Sequence, residues 1–124
     1  MPNITKVTSL QGETVNGQAT TTTAYSLSGV ADDTGTPLYT TLKTNLLLVA
    51  NPHASTAAVA TISFTPSGSV TPRNLAVVTI PAQASLDVLS GPLYVNAGDA
   101  IGVAVTGTDV DVTVSYEKLM NSED

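Results

Sequence analysis

Apolar side chains recur at every second position of this chain, and no other feature restricts its fold as much. In "DVDVTVSYEK", Val110, Val112, Val114 and Tyr116 alternate with Asp111, Thr113 and Ser115. In "AIGVAVT", Ile101, Val103 and Val105 share one phase, with Gly102 and Ala104 in the other. "AAVATISFTP" sets Ala58, Ala60, Ile62 and Phe64 against Thr61, Ser63 and Thr65. "ASLDVLS" sets Ala84, Leu86 and Val88 against Ser85 and Asp87. Neighbouring side chains of a strand point to opposite faces, so this alternation predicts strands with one buried and one wetter face. Val and Thr dominate, and their branched Cβ suits a pleated sheet.

Turn-forming clusters separate these runs: "NPHAS" at 51–55, "TPSGSVTPRN" at 65–74, "IPAQ" at 80–83, "SGP" at 90–92, "NAGD" at 96–99 and "TGTD" at 106–109. The rhythm predicts six strands, at 44–51, 57–65, 74–80, 84–89, 100–106 and 109–118, with 92–95 as a short seventh. An α/β fold needs interleaved helical patterns, so the rhythm reads as a sandwich or barrel. "NLLLVA" at 45–50 and "LAVVTI" at 75–80 are apolar in both phases. Two readings fit them: central strands covered on both sides, or strands whose outer face meets a partner subunit.

The first 43 residues carry less information. "QATTTTAYSLSGV" predicts one Thr-rich strand at 18–27, and "ADDTGTPLYTTLK" a long exposed loop. Asn16-Gly17 is a two-residue hairpin signal that would pair "GETV" with "QATT". The alternative, favoured here for residues 1–15, is an extended arm that orders on a neighbour, because this stretch has few large apolar side chains. The chain then divides into an arm at 1–15, a sandwich domain at 16–118 and a polar tail at 119–124.

Composition narrows the function classes. At 124 residues the chain is most simply one domain. Only 11% of it is charged, less than half of the roughly 25% usual in soluble domains. A surface so poor in charge suggests that another chain covers part of it. The formal net charge is −6, and Lys6, Lys43, Arg73 and Lys118 are scattered. Nucleic acid and anionic membranes both require clustered positive charge, so neither is an expected partner. There is no cysteine for a disulfide, a thiolate metal site or a nucleophile. The N-terminal "MPNITKVTSL" is not a secretory signal, and no apolar run approaches the roughly 20 residues that span a bilayer.

The residues capable of chemistry do not assemble into a known device. "YVNAGDAIGVAV" has one glycine between Asn96 and Asp99 and continues into a strand. A phosphate cradle would need several glycines and a following helix, so a turn is expected. His53 is the single histidine and lies in a turn; Ser55 is near, but no Gly-x-Ser-x-Gly elbow exists. Asp32-Asp33 and Asp109/Asp111 read as turn formers or solvated acids, with a weak cation site as the alternative. Tyr25, Tyr39 and Tyr94 offer rings for stacking on a sugar, against the plainer role of strand-end packing. Asn3-Ile4-Thr5 matches a glycosylation sequon that has no secretion signal beside it. The expectation is a protein that is not an enzyme and has no cofactor or metal.

Read together, "LLLVANPHASTAAVATISF", "NLAVVTIPAQASLDVLSGPLYVNAGDAIGVAV" and "DVDVTVSYEKL" resemble the small β-sandwich decoration or cement proteins of tailed bacteriophage capsids. The likeness covers residues 44–118 and rests on strand and turn texture, including "IPA…SL" and the "GD" turn. It implies an all-β fold, a single antiparallel β-sandwich, jelly-roll-like, of seven to eight strands. It also implies a homo-oligomer, with a trimer favoured, bound to the major capsid protein on the capsid exterior after synthesis in the host cytoplasm, where it bridges capsomers. The alternative is a carbohydrate- or receptor-binding sandwich of a phage tail, neck or fibre. The candidate interaction surface comprises Ile4, Val7 and Leu10 of the arm, with Leu47, Val49, Leu75 and Val77 of the two-faced strands.

Overall fold

In a computed structural model, residues 7–28 and 38–122 are described. They form nine strands and the turns between them: β1 (Val7–Ala19), β2 (Tyr25–Ser28), β3 (Leu38–Asn51), β4 (Ala58–Thr65), β5 (Arg73–Ile80), β6 (Ala84–Asp87), β7 (Leu93–Asn96), β8 (Ala100–Thr106) and β9 (Val110–Ser122). Two antiparallel sheets pack face to face. One runs β1-β9-β3-β6, with β7 also paired to β3, and the other runs β2-β8-β4-β5. With β6 and β7 taken as one interrupted strand on the same flank of β3, this is the strand order of a jelly roll.

The core is the alternation made physical. Val110, Val112 and Val114 on β9 face Ile101, Val103 and Val105 on β8 and Ala58, Ala60 and Ile62 on β4, all buried. Burying a Val or Ile side chain stabilises by roughly 1.5–3 kcal/mol, so these short β-branched residues suffice without large aromatics. Leu47 and Val49, expected on an outer face, are 1% and 0% exposed. They pair with Val114 and Val112 across β3 and β9 and therefore share the inward face. Their neighbours Leu46 and Leu48 take the opposite phase and are half-buried.

The N-terminal reading needs correction. Residues 7–15 are not a separate arm but the first part of β1, paired with β9 from Val7↔Asn121 to Ala19↔Val110. An edge strand held by backbone bonds and covered on one face needs few large apolar residues, which is why the sequence looked too polar to be anchored. Asn16 and Gly17 continue the strand and make no hairpin. Gly17 is required by a close approach instead: a Cβ there would stand 2.7 Å from Cε1 of Tyr25 on the opposite sheet. The expected loop at 31–43 overlaps the start of β3, and the expected tail at 119–124 overlaps β9, which runs to Ser122. The Thr-rich strand shrinks to β2, after bends at 21–23.

Candidate interaction surface

The residues capable of chemistry hold loops, and the turn expected at Asn96–Asp99 is present. At the β7–β8 turn, Asp99 N–H donates to the Asn96 carbonyl at 3.0 Å, and Gly98 adopts φ +88°. The buried Asp99 carboxylate accepts the backbone N–H of Asn96 at 3.0 Å and that of Ser67 at 2.7 Å. It therefore closes its own turn and ties down the β4–β5 loop. His53 works the same way: its Nδ1 accepts the backbone N–H groups of Ser55 at 3.1 Å and Thr56 at 3.0 Å. Beneath it, the buried Asn51 amide donates to the Thr56 and Ile80 carbonyls and accepts the His53 N–H.

Asp109 accepts the Thr21 N–H at 3.0 Å, which fastens the β1–β2 bend to the β8–β9 turn. Asp111 is exposed beside Asn16, Gln18 and Thr113 on the outer face of β1 and β9. The pair Asp32-Asp33 lies outside the described residues, as do Ile4 and the side chains of Val7, Leu10 and Tyr39. Among the described residues no three His, Cys, Asp or Glu side chains gather as a metal site would require.

Three aromatic and acidic groups do meet at one end of the sandwich. Glu13 takes the inward phase of β1, opposite Tyr116 on β9. Burial raises the Tyr116 phenol above its ordinary value of 10.0, and the Glu13 charge and its hydrogen bond to the hydroxyl raise it further. Tyr25, from the opposite sheet, is raised by burial and packs over Gly17. Tyr25 is thus a packing residue, whereas Tyr94 is exposed, opposite Lys43 in the pairing of β7 with β3.

Of the six large apolar side chains exposed among the described residues, three lie on β4 and β5, while Val70 stands in the loop between these strands and Leu86 and Tyr94 lie on the other sheet. Val77 is 60% exposed, Leu75 48% and Val59 38%. Val59 and Val77 take the outward phase of β4 and β5, where Val59 opposes Thr79 and Thr61 opposes Val77. Leu75 sits where the β4–β5 register shifts between Ile62 and Ser63. With Val88, Leu89 and Leu93 it lines a cleft of about 350 Å³. Leu86 takes the inward phase on β6, opposite Val49, yet stays exposed beside β5. Of the expected surface residues, the structure brings Leu75 and Val77 together on β5 and separates them from the buried Leu47 and Val49. Val59 and Leu86 were missed, although Val59 is visibly an apolar residue in the polar phase of "AAVATISF".

No family model matches this chain, and no curated protein matches it. Among solved structures, it is similar to a chain from Bacillus endospore appendages, described as a novel family of disulfide-linked pili, with 16% identity and a TM-score of 0.43 over 93% of this chain and 89% of that one.

Proposed function

We propose that this protein is a structural subunit of a phage virion, a decoration or cement protein that binds the capsid exterior as an oligomer and bridges capsomers. Its work is mechanical: contact area added across joints of an assembled shell stabilises that shell, because the ligand binds the assembled state in preference to the open one.

The observation that carries the reading is the flank of β5. Val77, Leu75 and Val59 lie exposed on and beside a strand to whose outer side no other strand is paired among the described residues. Water-exposed apolar side chains next to unpaired backbone groups mark a surface made for another chain. The strand and turn texture of residues 44–118 supports the choice of partner, and jelly rolls are common in capsid proteins. Fold alone does not settle function, so the capsid assignment stands on the test.

That test is addition of the purified chain to capsids that lack it. Saturable binding, with a rise in the temperature at which the capsids release their contents, is the expected result. Capsids that neither bind the chain nor gain robustness would overturn the proposal.

A further inference from the structure

We infer that β5 is the self-association edge of this protein: it pairs antiparallel with β5 of a second copy across a two-fold axis, which joins two four-stranded sheets into one. The inference rests on reading the β5 flank as a protein-contact surface, and names its occupant.

Sheet edges display N–H and C=O groups that template pairing, and proteins blunt them with shortness, charge or proline. The other edges here are blunted. β2, β6 and β7 have four residues each. β1 is long, but it turns the Glu13 carboxylate inward, a device that penalises an added strand. β5 has eight residues, and after Arg73 its run Asn74–Ile80 holds neither charge nor proline.

Charge selects the occupant. The whole chain carries −6, so two copies repel on average. That charge is unevenly divided. The strands β2, β8, β4 and β5 contain a single charged residue, Arg73. The strands of the other sheet contain Glu13, Lys43, Asp87, Asp111, Glu117 and Lys118. Copies that meet at β5 therefore bring no strand carboxylates together. A partner recognised by charge finds nothing to match in Asn74–Ile80, whereas an uncharged β-branched strand does, and β5 is itself such a strand. Antiparallel pairing of identical strands is self-complementary and closes after two copies. Centred between Leu75 and Val77, it sets Leu75 of each copy beside Val77 of the other. It predicts a dimer in place of the trimer that the capsid resemblance implies.

Sedimentation equilibrium of the full chain and of Val77→Lys tests this without any capsid present. The parent is expected as a dimer and Val77→Lys as a monomer, with the same circular dichroism spectrum. Because the chain has no cysteine, Val77→Cys gives a single-thiol variant, which a short bifunctional thiol reagent should join into dimers. Ser26→Cys, on the opposite edge of the same sheet, should stay unjoined. A monomeric or trimeric parent, or a Val77→Lys dimer, would overturn the pairing. If Val77→Lys remains a dimer but no longer binds capsids, β5 contacts the shell and not a copy. If it becomes a monomer that still binds capsids, the pairing stands and the shell-contact reading of this flank fails.

Discussion

The carboxylate of Asp99 holds the backbone N–H of Ser67 at 2.7 Å, so one side chain joins two turns that lie 32 positions apart. Its second oxygen holds Asn96 N–H. Hydrogen bonds to a buried charged acceptor contribute about 1.5–3 kcal/mol each. Asp99→Ala is expected to destabilise by about 2–4 kcal/mol on that scale, read as a lower urea midpoint at unchanged slope. Asp99→Asn, which keeps one carbonyl oxygen, should lose less.

Gly17 and Tyr25 should behave as a coupled pair. Gly17→Ala puts a methyl against the Tyr25 ring, and overpacking of this kind costs about 1–3 kcal/mol. In a Tyr25→Ala background the same substitution should cost far less, so the double-mutant cycle closes with a clear coupling term. Additive losses would mean that the ring simply moves aside.

Alkaline pH should weaken the fold through its tyrosines. The phenols of Tyr25 and Tyr116 are raised above 10.0 in the folded chain. The folded state then retains protons that the unfolded state has released, and stability falls as pH rises. The contribution is whole below pH 10 and is lost as pH climbs through the folded values. Denaturation midpoints measured on either side of this window check it. Tyr116→Phe should flatten the decline, and Glu13→Gln should soften it by removing the charge beside the hydroxyl.

Thr44→Val is expected to stabilise the protein. The Thr44 hydroxyl is fully buried and finds no hydrogen-bond partner among the described residues. Replacing it with an isosteric methyl removes the desolvation cost of an unpaired polar group, about 1–3 kcal/mol. A thermal midpoint that falls on this substitution would contradict the account.

Asn51→Leu should be among the most damaging single changes away from the core valines. It strips partners from the Thr56 and Ile80 carbonyls and the His53 N–H together. A loss of about 3 kcal/mol or more is expected from three such groups. His53→Ala, which frees only two N–H groups at the surface, should be milder.

The strands from 44 onward were legible because tertiary burial follows the alternation of Val110 to Tyr116 and Ile101 to Val105 residue for residue. The first strand was not. Gly12, Thr14, Asn16 and Gln18 are exposed on β1, so half of that strand is polar for ordinary reasons. Its inward phase holds Glu13 and Gly17, which imitate a loop in sequence. Asn16-Gly17 has turn chemistry, but a long partner in β9 and a ring over Gly17 outweigh it. On the candidate surface, the doubly apolar runs were recognisable, yet sequence alone did not tell which had a covered outer face. Leu47 and Val49 are buried because they take the inward phase of β3, facing the opposite sheet; Val77 is exposed because it takes the outward phase of β5, as Val59 does on β4.

β9 lies between β1 and β3, and among the described residues it follows every other strand. During synthesis β1 therefore waits without a partner, and β3 with only its β6 and β7 side paired, for a segment that has yet to leave the ribosome. A chain cut short inside β9 would leave β1 unpaired and one side of β3 open at once. Premature termination should thus yield no partly useful product, only one that quality-control proteases remove.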